Sequence, residues 1–250
     1  MTLPGRRLAV ALLCAPTIVH AADASDRVAR TLPLPPGRAV RVEATIADVT
    51  IVGSDRPDLA VEIMRRAPTS SDLARYPVVI DSSDDVVRIA AVQTNDGRDA
   101  RLKTEMVIRA PSAARLDAVR VFEGRVRLSD LTAACDVDIQ RGNIEANALS
   151  GRVRLESGVG SVALTDAALV AGGMLRLRTF NGPVRLQFAR PPDNARILAL
   201  TFNGVITSDI PLSLRDTFGP RFGETTIGTG DPVVSIDAVK GDIAISVDRR

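Results

Sequence analysis

A glycine recurs through the second half of this chain at nearly constant spacing, and the residues around it obey one rule. The glycines are Gly124, Gly142, Gly160, Gly182, Gly204 and Gly241, separated by 18, 18, 22, 22 and 37 residues. Two positions after each stand Val126, Ile144, Val162, Val184, Ile206 and Ile243, all β-branched. Seven before stand Asp117, Cys135, Val153, Leu175, Ile197 and Val234; five before stand Val119, Val137, Leu155, Leu177, Ala199 and Ile236. Alternation with a period of two marks a half-buried strand, and branched side chains favour extended backbone. Each unit is therefore a strand, a glycine corner and a second strand. A repeat of about twenty residues buries its apolar face only by stacking on its neighbours, which predicts an all-β parallel solenoid of short coils.

Two units share a longer phrase, TFNGPVRL from Thr179 and TFNGVITS from Thr201. Equivalent corners explain the recurrence. Gly182 and Gly204 are expected at positive φ, with Asn181 and Asn203 leading into the turn, since both residue types tolerate left-handed backbone. Stacking in sequence order predicts one inward column of Cys135, Val153, Leu175 and Ile197.

The outward positions test the stacking. Adjacent parallel strands lie about 4.8 Å apart, so like charges in a column repel. Six before the anchor the column reads Ala118, Asp136, Arg154, Arg176, Leu198, Ser235; four before, it reads Arg120, Asp138, Glu156, Arg178, Leu200, Asp237. Asp136 is expected to face Arg154, Arg120 to face Asp138, Glu156 to face Arg178 and, after the corner, Arg127 to face Glu145. Asp136 and Asp138 also suggest calcium. The chain lacks the Gly/Asp-rich turns such sites use, and the neighbouring arginines favour solvated ion pairs.

Upstream, AVRVEATIADVTIVG repeats the unit with Ala47 in the glycine position. LAVEIM, VVRIAAV and KTEMVIRAP read as further strands, separated by polar loops such as residues 81–85 and 94–101. Residues 70–76 allow one helical turn. The expected organisation is a signal peptide over 1–21 and a single β-repeat domain over 27–250. Within it, 27–116 form irregular N-terminal strands and hairpins, and 117–250 form the regular coils with an insertion at 207–230.

The first residues set a compartment. Arg6 and Arg7 precede a short apolar run from Leu8 to Ala15, and Val19 and Ala21 are the small residues favoured before cleavage at Ala21–Ala22. The run is too short to span a bilayer, which takes about 20 apolar residues. Leu13 before Cys14 argues against a lipid anchor. The expected location is periplasmic or secreted. Cleavage removes two arginines and no acids, leaving thirty basic residues against thirty acidic ones. With aromatic residues at 3% and no Trp, a neutral chain of this kind excludes a nucleic-acid partner.

Cleavage also removes His20, the sole histidine, and leaves Cys135 as the sole thiol. That excludes an internal disulfide, His-based triads and ordinary zinc or iron sites. No cofactor is expected, and no catalytic, metal-binding or cofactor-binding residue is assigned. Cys135 falls in the inward column and reads as a buried, inert thiol. The GxG of ESGVGSVAL reads as a solenoid corner, because no third glycine and no helix follow it. Carboxylate chemistry stays open, since acid–base pairs converge in space and not in sequence.

The stretch MVIRAPSAARLDAVRVFEGRVRLSDLTAACDVDIQRGNIEANALSGRVRLESGVGSVAL resembles a bacterial family, the putative-adhesin domain of unknown function with β-strand repeats, also called toastrack-like. The resemblance covers residues 37–247. It implies an extracytoplasmic β-solenoid associated with the cell envelope and supplies no catalytic motif. The expected function is a non-enzymatic scaffold that binds envelope protein or polysaccharide. The alternatives are a carbohydrate-active β-helix enzyme using surface carboxylates and a structural envelope spacer.

The irregular step after Gly204 carries one more expectation. Leu198, Leu200 and Phe202 turn an outward face apolar. The insert at 209–224 brings Ile210, Leu212, Leu214, Phe218 and Phe222. It is expected to fold over that face as a flap; left open, the two surfaces would form a binding site.

Overall fold

The computed structural model describes residues 23–93, 101–215 and 219–248. The N-terminal segment with Cys14 and His20, nearly all of the 94–101 loop, and Phe218 lie outside the described residues. In chain order the first elements are β1 (Ala24–Pro33), β2 (Ala39–Ser54), β3 (Asp58–Ala67), helix α1 (Ser70–Ala74), β4 (Val78–Ser82), β5 (Val86–Ala91) and β6 (Lys103–Pro111). Then come β7 (Arg115–Leu131), β8 (Cys135–Leu149), β9 (Arg152–Val159), β10 (Val162–Ala167), β11 (Met174–Asn181) and β12 (Val184–Phe188). The last are β13 (Ala195–Asn203), β14 (Ile206–Ser208), β15 (Ser213–Arg215), β16 (Arg221–Ile227), β17 (Val233–Lys240) and β18 (Ile243–Val247).

The repeat stacks as a parallel solenoid. Val119, Val137, Leu155, Leu177, Ile236 and Ala199 are fully buried, as are Val126, Ile144, Val162, Val184 and Ile243 after the corners. The small branched side chains thus line one continuous core between the two halves of every coil. α1 is the single expected turn; the Thr69 side chain caps it by accepting from the Asp72 amide.

The stacking order differs from the sequence order at both ends. β11 pairs with β17, and β17 with β13; β12 pairs with β18, and β18 with β14. The last coil therefore slides between its two predecessors. The inward column runs Cys135, Val153, Leu175, Val234, Ile197, so Leu175 does not touch Ile197 as expected. At the other end β2, the first coil, lies between β5/β6 and β7. A bulge between Leu116 and Val119 also places Leu116, not Asp117, opposite Cys135. An alternating pattern fixes which residues face inward, but it carries no record of a strand sliding in from elsewhere.

The glycines are explained by contact more than by dihedral angle. A Cβ at Gly124, Gly142, Gly160, Gly182 or Gly241 would lie 1.8–2.0 Å from the carbonyl oxygen of the corner residue in the adjacent coil. Gly182 has φ +148°, as expected. Gly204 does not lie in the positive-φ region, and that expectation fails. It is still a glycine because its Cβ would sit 2.0 Å from the Gly241 oxygen. Ala47 is buried, but no strand pairs with it on the β5/β6 side among the described residues: β2 pairs with β5 only as far as Ala44 and with β6 only from Asp48, so no corner carbonyl excludes its Cβ there.

Candidate functional site

The shared phrase divides its labour residue by residue. The threonines are buried and pin the corners: Thr179 Oγ1 donates to the Gly182 carbonyl at 2.6 Å, and Thr201 Oγ1 to that of Gly241 at 2.9 Å. Ser157 does the same one coil below Thr179, donating to Gly142 at 2.9 Å. Alternation then turns the next residue outward, which exposes Phe180 and Phe202. Eight large apolar side chains are exposed among the described residues. Four lie along this one corner edge: Phe180 (57%), Phe202 (53%), Val159 (52%) and Val205 (50%). Lys240 separates Asn181 from Asn203 in the ladder, so the two Phe stand two strand spacings apart, roughly 10 Å.

The outer wall beside this edge changes character along the stack. In the middle it is charged. Arg120 pairs with Asp136 at 2.8 Å, Asp136 with Arg154 at 3.2 Å, Arg154 with Glu156 at 2.6 Å, and Arg176 approaches Glu156 at 3.6 Å. Asp136–Arg154 and Arg127–Glu145 form as read from the columns. Arg120 instead reaches diagonally to Asp136 rather than Asp138, and Glu156 to Arg176 rather than Arg178. The diagonals place a carboxylate between Arg154 and Arg176, the like-charged neighbours of the column. Asp136 is thus held between two guanidiniums, and Asp138 accepts from Gln140 at 3.1 Å. No group of three or more His, Cys, Asp or Glu gathers around a metal position among the described residues.

At the outermost coil the wall becomes apolar. The insert does return to Leu198, Leu200 and Phe202, but not as a flap. β16 joins the free edge of β13 in antiparallel register, Leu200 opposite Phe222 and Leu198 opposite Glu224, and β15 pairs with β16. An exposed parallel edge carries unpaired N–H and C=O groups along its whole length, and satisfying them governs where the insert goes. The sheet is extended; Leu198, Leu200 and Phe222 lie half-buried on its outward face, and Phe202 stays exposed. Arg178, Arg196 and Lys240 border this surface and make no ion pair among the described residues. The sequence reading found the apolar residues and missed that pairing enlarges the patch.

Two clefts mark the places where the chain skips a slot. One of about 510 Å³ lies where residues 189–194 pass over the inserted coil, lined by Phe188, Pro191, Pro192, Asp193, Asp231 and Pro232 among others. One of about 540 Å³ lies at the N-terminal skip, lined mainly by Pro33, Pro35, Pro36, Pro57 and Pro111. Cys135 faces neither. It is buried in the core, and desolvation, with a smaller push from the Asp136 charge, raises its thiol from 9.0 to about 12. No helix of the described residues is long and apolar enough to cross a membrane.

No family model matches the chain, and no curated protein does. Solved structures are similar to it over most of its length. A putative cell adhesion protein from Clostridium sporogenes is 9% identical with a TM-score of 0.47, covering 90% of this chain and 100% of that one. A putative adhesin from Bacteroides fragilis is 11% identical with a TM-score of 0.37, covering 89% and 97%. A putative lipid binding protein from Parabacteroides distasonis is 10% identical with a TM-score of 0.25, covering 90% and 97%.

Proposed function

We propose that this chain is an extracytoplasmic, non-enzymatic scaffold that holds a protein partner of the cell envelope on its C-terminal corner. The observation that carries the reading is the clustering of exposed Val159, Phe180, Phe202 and Val205 beside Leu198, Leu200 and Phe222. Soluble surfaces scatter single apolar residues, whereas contiguous patches rimmed by polar groups mark contact sites. The unpaired Arg178, Arg196 and Lys240 favour a partner whose apolar contact segment carries acidic flanks. The cleavable-type N-terminal segment supports export.

The test is fractionation, followed by capture from envelope extract with wild type and with a Phe180→Ser/Phe202→Ser double variant. Release of the mature chain outside the cytoplasm and a partner lost with the double variant are expected. A cytoplasmic chain overturns the localisation, and equal capture by both proteins overturns the corner. For the carbohydrate-active alternative, the C-terminal cleft offers Asp193 and Asp231 on its walls. Polysaccharide turnover abolished by Asp193→Asn or Asp231→Asn would replace the scaffold reading.

A further inference from the structure

We infer that Asn203 is a site of spontaneous backbone modification, conversion through a cyclic imide to aspartate and isoaspartate, and that Asn181 is protected from it. The chain contains two Asn-Gly pairs, both inside the TFNG phrase. Gly lacks the Cβ that hinders attack by its own nitrogen on the preceding side chain, so sequence alone makes the two equally susceptible. Both asparagines are exposed, and neither side chain has a hydrogen-bond partner among the described residues.

The difference lies in the nitrogen that must attack. Corner glycines inside the stack donate to the next coil: Gly160 N to Asn181 O at 2.9 Å, Gly182 N to Lys240 O at 2.8 Å and Gly241 N to Asn203 O at 3.0 Å. The Gly204 corner is outermost. Its N–H has no acceptor among the described residues, and β14 has no strand on its outer side. A hydrogen-bonded amide, held in the ladder by coils above and below, cannot turn toward the side chain without local opening of the stack. The Gly204 amide lacks that bond: its peptide is tied to one neighbouring coil only, through the Asn203 carbonyl that accepts from Gly241 N, and by Arg221, which donates to the Gly204 carbonyl, so fewer bonds oppose the turn.

The step balances. The Gly204 nitrogen forms a bond to Asn203 Cγ, the Cγ–Nδ2 bond breaks, and Nδ2 leaves as ammonia with the proton lost from the Gly204 nitrogen. Water then opens either carbonyl–nitrogen bond of the ring. One opening leaves aspartate; the other leaves isoaspartate, with an extra backbone carbon at the corner. Either product puts a carboxylate between Phe202 and Val205. The inference stands on the amide pairing and not on the docking reading.

The experiment incubates the folded full chain at mildly alkaline pH and follows the two peptides by mass spectrometry, beside a parallel incubation in denaturant. Conversion at Asn203 is expected to outpace Asn181 roughly tenfold or more in the folded protein, with the two rates converging once unfolded. Equal rates in the folded state, or faster conversion at Asn181, would overturn the inference. Unequal rates in denaturant would overturn it too, by tracing the difference to sequence. A Gly204→Ala variant that stays folded should slow only the Asn203 reaction, and undiminished conversion there would count against attack by this nitrogen.

Discussion

At the N-terminal end of the stack the outermost coil is flanked on both halves. β4 lies antiparallel on β5, and β3 with β1 beyond it lies antiparallel on β6. At the C-terminal end β16 and β15 flank β13, while among the described residues β14 pairs only with β18. Both ends tuck the terminal coil of the chain into the second slot, so the outermost position falls to a coil with chain on either side of it. That leaves spare chain to turn back as an antiparallel cap, and reversing direction is what stops a parallel stack from growing. The ends differ in how far the cap extends. Where it covers one half only, an amide is left without a partner and apolar side chains remain outside, and both features of functional interest gather there.

The largest expected effect separates the interior of the stack from that open end. Gly160→Val would force a Cβ to within 1.9 Å of the Gly142 oxygen, with coils on both sides preventing relief. It should destabilise by on the order of 4 kcal/mol or more, or abolish folding. At Gly204 the nominal clash with Gly241 is equal, but the outer coil can move away. Gly204→Ala should cost roughly 1–2 kcal/mol. Denaturant melts of the two variants measure the contrast, and equal losses would mean that the end coil is as constrained as the middle.

The next contrast is between an inward and an outward leucine beside a corner threonine: Leu177, two positions before Thr179, and Leu200, one position before Thr201. Leu177 is fully buried, and Leu177→Ala should cost about 2–5 kcal/mol. Leu200 faces outward and is half-buried; its truncation should cost about 1 kcal/mol or less. A large loss at Leu200 would indicate that the outer wall is covered after all.

Cys135 reports on the core through pH. Its folded thiol is raised from 9.0 to about 12, so the neutral form is favoured by folding. Its contribution is fully present below pH 9 and declines as pH rises toward 12. A Cys135→Ala variant should therefore lose less stability than wild type between those values. In native protein the thiol should resist alkylating reagents and react only on unfolding; prompt labelling at neutral pH would contradict its burial.

Much of this was legible in the sequence because it depends on local alternation. The inward columns, the corner at Ala47 and the opposite charges at Asp136–Arg154 and Arg127–Glu145 need only a period of two and a constant repeat. What could not be read depends on partners distant in sequence. Val234 slides between Leu175 and Ile197, the bulge substitutes Leu116 for Asp117, and β16 finds the edge of β13 and not its face. The Gly204 corner shows both limits at once. The glycine was expected for its conformation and is needed for its contact, and its unpaired amide follows from a stacking order the repeat does not encode.

The smallest effect concerns the charged wall against the apolar one. Glu156 lies between Arg154 at 2.6 Å and Arg176 at 3.6 Å, with its side chain only 14% exposed. Among the described residues the Arg176 Nε has no hydrogen-bond partner, so this carboxylate is its main compensation. Removing the charge in Glu156→Gln leaves two arginines facing each other across adjacent coils. Surface ion pairs contribute little singly, and a shared, half-buried carboxylate sits near the upper end, so the expected cost is about 1 kcal/mol at low ionic strength. The cost should shrink as salt screens the arginine repulsion. Arg127→Met at the exposed pair with Glu145 should change stability by only a few tenths of a kcal/mol. Leu198→Ser, on the apolar part of the wall, should show no comparable salt dependence, because no charge is gained or lost. If Glu156→Gln were equally costly in low and high salt, the diagonal contacts would be acting through packing and hydrogen bonds, and the electrostatic contrast between middle and end would be wrong.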